Sequence, residues 1–165
     1  MILERKVRVA PAATDPSALA EIKRLVWLAA ALYLFFALAS YSPTDPSWTT
    51  WTTKNHFQNW MGRAGSGLAD LLYQVLGLAA FGLCALFAAA ALRPTKSKLA
   101  KLAWVPNGLL LVSSALLLQA SMPTHLVPWN LSHAGGLLGR VSYDALSYIT
   151  GTHGAVFFAI FSSIT

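Results

Sequence analysis

Charged residues are absent from four long intervals of the chain, which are residues 25–44, 71–92, 102–139 and 145–165. Each interval includes an apolar stretch close to the roughly 20 helical residues that cross a bilayer core. Lipid offers no partner to backbone N–H and C=O groups, so such a segment must satisfy them within its own helix. The pattern predicts an all-α integral membrane domain with four spans, at residues 24–41, 69–92, 104–122 and 152–165.

The composition agrees with a membrane environment. Of the 165 residues, 56% are apolar and only 11% are charged, whereas soluble domains have about 25% charged residues. A chain of this length could not bury four apolar helices and still present a polar surface. A cleaved signal peptide is a competing interpretation of the first run, because Ala37-Leu38-Ala39 has the form of a cleavage site. The mixed charges of residues 1–24 and the three later spans disfavour it.

The net charge of +6 is distributed unevenly along the chain. Nine basic residues precede the first span or separate the second from the third: Arg5, Lys6, Arg8, Lys23, Arg24, Arg93, Lys96, Lys98 and Lys101. The other two loops hold Lys54, Arg63 and Arg140. The positive-inside rule therefore predicts that residues 1–23 and the 93–101 loop are cytoplasmic and that the other loops face outward. Basic residues beside membrane ends indicate contact with anionic lipids, and we expect no direct DNA contact.

The first outer loop begins with two helix-breaking prolines. Pro43 and Pro46 each disfavour helical geometry in the preceding residue, so the first span ends there. Tyr41, Trp48 and Trp51 follow at the membrane surface, where amphipathic rings are enriched.

The two outward segments resemble each other. Residues 65–77 and 139–151 align with Gly65 on Gly139, Asp70 on Asp144, Leu72 on Leu146, Val75 on Ile149 and Gly77 on Gly151. Apolar residues at helical spacing over 137–149 predict a periplasmic interfacial amphipathic helix. In the first copy the apolar character continues past Gly77, which predicts an unbroken helix into the second span. A chance match of common residues remains an alternative, as does a loop with fortuitous spacing.

Residues for catalysis or metal binding form no recognisable pattern. The chain has no G-x-x-x-x-G-K-[ST], G-x-S-x-G or H-E-x-x-H motif, and the four histidines match no ligand spacing. Cys84 is the single cysteine. We expect no catalytic, metal or cofactor-binding residue in this chain. Residues 71–92 also contain no Asp, Glu, Lys, Arg or His, which disfavours a transporter.

Small residues recur along one face of the second span. Gly82, Ala85 and Ala89 are candidates for a close helix contact, either within the chain or with another copy. An alanine-rich face directed at lipid is the alternative.

Three segments carry a resemblance to a known family. They are SYSPTDPSW at 40–48, GRAGSGLADLL at 62–72 and AGGLLGR at 134–140. In this order, over residues 22–165, they resemble the N-terminal four-span membrane domain of the FtsK/SpoIIIE DNA translocase family. The resemblance marks eight residues as a candidate periplasmic motif: Ser42, Pro43, Asp45, Pro46, Gly62, Arg63, Asp70 and Asp144.

The resemblance also implies a function. It implies a non-enzymatic domain that anchors the translocase in the bacterial inner membrane at the division septum. There it would contact membrane lipids and other division proteins, coupling cell division to chromosome segregation. A linker and a hexameric ATPase motor would follow, so ATP, magnesium and assembly into a homo-oligomer are expected of the motor and not of these residues. We expect the chain to stop before that linker.

Two other classes remain as alternatives. A small multi-span transporter or channel subunit would be favoured if the gene ended soon after Thr165. A structural membrane protein of the division apparatus without a motor would affect septation alone. A motor-bearing protein would affect both septation and segregation of the chromosome terminus.

The predicted topology can be tested by labelling at Lys98. We expect a cysteine at Lys98, in a Cys84→Ala background, to resist a membrane-impermeant thiol reagent in intact cells and to react after lysis. Lys54→Cys is the matched control, because the outer loop places it within reach of the reagent. Labelling of Lys98→Cys in intact cells would contradict the topology.

Overall fold

The computed structural model describes residues 16–50, 56–92, 104–122 and 124–164. Within them the secondary structure is entirely helical, which confirms the predicted fold class at this level. The described ranges contain five α-helices: α1 Pro16–Ala39, α2 Gly62–Leu76, α3 Ala80–Leu92, α4 Trp104–Ser121 and α5 Gly136–Ile164. Short 3-10 turns lie at Gly77–Ala79, Thr124–Leu126 and Pro128–Asn130. Residues 1–15, the 93–101 loop, Trp51 and Lys54 lie outside the described residues.

Two helical segments are long and apolar enough to cross a membrane, Ala18–Ala39 and Gly62–Leu92. A shorter apolar helix covers Pro106–Ser121. Only 22% and 33% of the residues in the two long windows are buried inside the protein. The core helix of a soluble protein would be mostly buried, so these exposed apolar surfaces favour lipid as their surroundings. The four-span topology itself stays a prediction.

The helices are arranged as a row. α1 packs along α3, α3 touches α4, and α4 packs along α5. Among the described residues, no Cα atom of α1 comes within 8 Å of α4 or α5. At the C-terminal end of α1 the row is joined by α2, which contacts both α1 and α5. The chain therefore forms two neighbouring units, α1–α2–α3 and α4–α5, with α1 at one end of the row and α5 at the other.

The helix through the second predicted span is interrupted at Gly77. Its φ of 61° and ψ of −141° lie in a region essentially restricted to glycine, and its N–H caps the carbonyl of Tyr73. The prediction of an unbroken helix is therefore wrong. Apolar character continues through Gly77, but it does not report the backbone turn that a glycine permits. Gly151 breaks α5 in the same way, with φ 74° and ψ 168°.

The four glycines with positive φ reveal a repeat in the backbone. They are Gly62, Gly77, Gly136 and Gly151, with φ values between 60° and 74°. Gly62 and Gly77 bound α2, and Gly136 and Gly151 bound residues 136–150 of α5. The alignment that pairs Gly77 with Gly151 also pairs Gly62 with Gly136. Each unit thus holds a helix of equal length between two glycines, which supports the resemblance between the two outward segments.

The core lies where α1, α2 and α3 meet. Leu38, Ala69, Tyr73 and Ala80 are almost completely buried there, with Ala115 of α4 in the same cluster. Such burial removes side chains from contact with either water or lipid and fixes α2 against the outer end of α1.

Gly77 provides a test of the junction between the units. Gly77→Ala should destabilise the protein by about 2 kcal/mol or more, because φ is positive and a Cβ would lie 2.0 Å from the carbonyl oxygen of Ala134. Gly108→Ala is the matched control, since no atom lies within 4 Å of its Cβ position and alanine favours a helix. Thermal unfolding in detergent measures both variants. Equal melting temperatures would contradict the close contact between Gly77 and Ala134.

Candidate functional site

Asp45, from the predicted periplasmic motif, organises the first outer loop. Its carboxylate is 2% exposed and accepts hydrogen bonds from the backbone N–H groups of Gln58, at 3.0 Å, and Asn59, at 2.8 Å. Hydrogen bonds to an ionised acceptor are stronger than neutral ones. Asp45 therefore joins the beginning and the end of the loop into one structure.

The far end of this loop caps α1. Asn59 donates from Nδ2 to the carbonyl of Ala37 at 2.7 Å. Ser40 Oγ donates to the carbonyl of Phe36 at 2.6 Å and accepts from the N–H of Trp60 at 3.0 Å. The last carbonyls of a helix have no partner within it. Side chains and the loop backbone therefore supply the hydrogen-bond donors that are missing at the end of α1.

Asp70 holds the same loop from the side of α2. It is also 2% exposed. Its carboxylate accepts from the hydroxyl of Tyr41 at 3.1 Å and from both the hydroxyl of Thr49, at 2.9 Å, and its N–H, at 3.3 Å. The phenol of Tyr41 is therefore a donor to this buried carboxylate.

Aromatic rings connect this network to the second unit. Trp129 lies in the loop between α4 and α5, and its ring centroid is 5.2 Å from that of Tyr73 and 6.4 Å from that of Tyr41. The Tyr73 hydroxyl donates to the carbonyl of Leu38 at 2.9 Å. Such ring pairs add about 0.5–1.5 kcal/mol each beyond area burial. The loop of the second unit is thus packed onto the polar network of the first.

The other residues of the candidate motif lie at the edges of this network. Ser42 is half-buried and hydrogen-bonds to Thr44 Oγ1 at 3.0 Å, Pro43 is exposed, and the carbonyl of Pro46 accepts from Ser66 Oγ at 3.2 Å. Gly62 begins α2, and Arg63 is exposed beside it.

Asp144 does not repeat the role of Asp70. Its side chain is exposed and pairs with Arg140 at 3.6 Å on the surface of α5. Arg140 also lies 3.0 Å from His133 Nε2. The loop that covers Asp70 in the first unit has no equivalent over Asp144, because the corresponding loop of the second unit is directed toward Tyr41 and Tyr73.

The three residues of the proposed small-residue face have different surroundings. A Cβ on Gly82 would lie 2.7 Å from Leu111 of α4, so Gly82 faces a helix of the same chain. Ala85 is exposed and Ala89 is half-buried. A contact between copies through these residues stays a prediction.

Several residues of the network were not selected by sequence reasoning. They are Asn59, Thr49, Ser66, Tyr73 and Trp129. Each is a common residue type at an ordinary position, and the contacts depend on loops that meet only in the folded protein. The sequence did contain one signal, because Asn59 lies only three residues before Gly62 of the recognised segment.

No group of three histidine, cysteine or acidic side chains that could hold a metal occurs in the part of the chain that the structure describes. Cys84 is buried, and its lone thiol carries no site. The absence of a cofactor stays a prediction.

Comparison with known proteins identifies the family. The model for the 4TM region of DNA translocase FtsK/SpoIIIE matches residues 17–165. The chain belongs to this family. It is the membrane region and not the motor, as the resemblance implied.

The relatives agree with this assignment. The chain is 32% identical over 145 residues to DNA translocase FtsK of Pseudomonas aeruginosa, which covers 79% of this chain and 17% of that protein. It is 33% identical over 128 residues to the FtsK of Haemophilus ducreyi, covering 74% and 13%. It is 47% identical over 51 residues to that of Azospirillum brasilense, covering 30% and 8%. The chain therefore spans less than a fifth of these relatives. No solved structure matches it.

Asp70 and Asp144 form a matched pair for testing the network. Asp70→Ala should destabilise the protein by about 2 kcal/mol, because it leaves the buried hydroxyl of Tyr41 without its acceptor and removes the bonds from Thr49 that hold the loop. Asp144→Ala removes an exposed ion pair and should change stability by less than about 1 kcal/mol. Thermal unfolding in detergent compares them, and equal losses would rule out the assigned role of Asp70.

Proposed function

We propose that this domain anchors a DNA translocase in the bacterial inner membrane at the division septum and is a scaffold for other division proteins. The protein would cross the membrane four times, with its N-terminus in the cytoplasm. The family supports this proposal, as do the largely exposed apolar helices. The charge distribution supports the orientation. The translocation of DNA, with its ATP and hexameric motor, would belong to other parts of the protein.

One structural observation carries the proposed scaffold role. Residues 40–50 are held by two buried carboxylates, Asp45 and Asp70, and they display Trp48 with 84% of its surface exposed. An ordered loop loses little conformational entropy when a partner binds. Exposed tryptophans are also enriched among the residues that dominate binding energy. We therefore assign the contact with division proteins to this loop.

The second unit has a different proposed role. The apolar face over 137–149 does not pack on the other helices, since Leu137, Val141, Tyr148 and Ile149 are exposed. This amphipathic helix has an exposed apolar face with an ion pair, Arg140 and Asp144, beside it. Such a helix fits the interface between water and the outer leaflet of the inner membrane. We propose that this helix lies in the outer leaflet and sets the depth of the domain.

A localisation experiment tests the scaffold role. In the protein as the cell makes it, fused to a fluorescent protein, Trp48→Ala should lower the septal signal several-fold while leaving protein abundance unchanged. Leu92→Ala is the matched control, because Leu92 is also 84% exposed but lies at the end of α3, outside both proposed contact surfaces. Loss of the gene should impair both septation and terminus segregation. Normal septal signal for Trp48→Ala at normal abundance would remove the loop from the proposal.

A further inference from the structure

Arg63 carries a positive charge that the folded domain itself does not use. It lies in the first turn of α2 and its side chain is exposed. In the described part of the chain no carboxylate pairs with it, since Asp45 and Asp70 are buried in the loop network and Asp144 pairs with Arg140. The N-terminus of a helix has partial positive charge, so a cation there is unfavourable. The chain therefore places an arginine where the stability of the helix alone favours an acid.

Trp48 lies close to Arg63 on the same helix. Its indole covers Gly67, where a Cβ would lie 3.2 Å from the indole nitrogen Nε1. Residues four apart share one face of a helix, so Arg63, Gly67 and the half-exposed Leu71 form a line along α2. Arg63, Trp48 and Leu71 therefore combine a cation, an indole and an aliphatic side chain in one exposed patch, here called the Arg63–Trp48 surface.

The surroundings of Trp48 favour a protein over lipid as its partner. The next residue, Thr49, is exposed and accepts a hydrogen bond from the exposed side chain of Gln74 at 2.9 Å. Trp60 provides the contrast, because its exposed ring lies 5.9 Å from that of Phe36 on an apolar face of α1. Protein-binding surfaces are enriched in aromatic residues and arginine and have a polar rim, whereas a ring beside an apolar helix face is typical of the membrane boundary.

We propose that the Arg63–Trp48 surface binds an acidic segment of a division protein on the outer side of the membrane. A carboxylate of the partner would accept hydrogen bonds from the guanidinium, whose planar fork of N–H donors matches it. A neighbouring apolar residue of the partner would pack on Trp48 and Leu71. Negative charge is the complement of both Arg63 and the helix N-terminus beside it. The inference rests on the proposed topology and scaffold role, to which it adds Arg63 and the chemistry of the partner.

Removal of the charge tests the proposal in the cell. In the protein as the cell makes it, fused to a fluorescent protein, Arg63→Gln should lower the septal signal several-fold at unchanged abundance. Arg63→Lys should retain more of the signal, because the charge is kept. Ser132→Glu is the matched control, since it also lowers the net charge by one but changes an exposed residue in the loop before α5. Normal septal signal for Arg63→Gln, or an equal loss for Ser132→Glu, would overturn the proposal.

The melting temperature in detergent separates binding from a structural role. Arg63→Gln should leave it unchanged or raise it, because a cation is removed from a helix N-terminus. A lower melting temperature would assign Arg63 to the fold and overturn the proposal. Loss of septal signal for Trp48→Ala with normal signal for Arg63→Gln would remove only the acidic partner. Normal signal for both variants would remove the scaffold role of the loop as well, and labelling at Lys98→Cys reports failure of the topology.

Photo-cross-linking in intact cells tests the chemistry of the partner. Benzoylphenylalanine replaces Ala64, which is exposed beside Arg63, and the cross-linked peptides are sequenced by mass spectrometry. We expect peptides of division proteins with Asp or Glu within a few residues of the attachment point, in several-fold lower yield when Arg63→Gln is also present. Replacement of that acid by lysine should restore the septal signal of Arg63→Glu. Cross-links only to lipid, only to a second copy or only to segments without acidic residues would overturn the proposal, as would no cross-link.

Discussion

The structure depends on how the carbonyl groups at the outer end of α1 are satisfied. The N–H groups of Ser40 and Tyr41 reach the carbonyls of Phe36 and Leu38, but a helix end supplies too few donors for all of its last carbonyls, and an unpaired buried polar group is costly. Asn59, Ser40 and Tyr73 provide the donors. Asn59 comes from the far end of the loop and Tyr73 from α2, so one helix end determines the position of both.

The two buried carboxylates make that arrangement rigid. Asp45 joins the two ends of the outer loop, and Asp70 binds its middle to α2. Because each carboxylate receives several donors, its burial does not leave charge uncompensated. The result is an ordered surface with Trp48 exposed on it. Trp129 then packs against Tyr73 in a tilted arrangement, which connects the second unit to the same centre.

The two units share a backbone but differ in their polar surroundings. Both contain a helix bounded by glycines at positive φ. In the first unit the loop covers that helix and buries Asp70, whereas in the second Asp144 remains exposed. The same backbone therefore gives a closed surface in one unit and an open apolar face in the other. This difference is the structural basis for assigning them separate roles toward partners and toward lipid.

Local signals in the sequence were sufficient for the helical class, for an apolar helix within 104–122 and for the exposed apolar face over 137–149, because each depends on consecutive side chains meeting an apolar environment. The motif residues Asp45 and Asp70 could be selected by resemblance, but their burial could not. The tertiary structure decided three other features: the break at Gly77, the closeness of Gly77 to Gly136 and the packing of Trp129 against Tyr73. They arise from backbone turns and contacts between distant segments, which hydrophobic periodicity does not record.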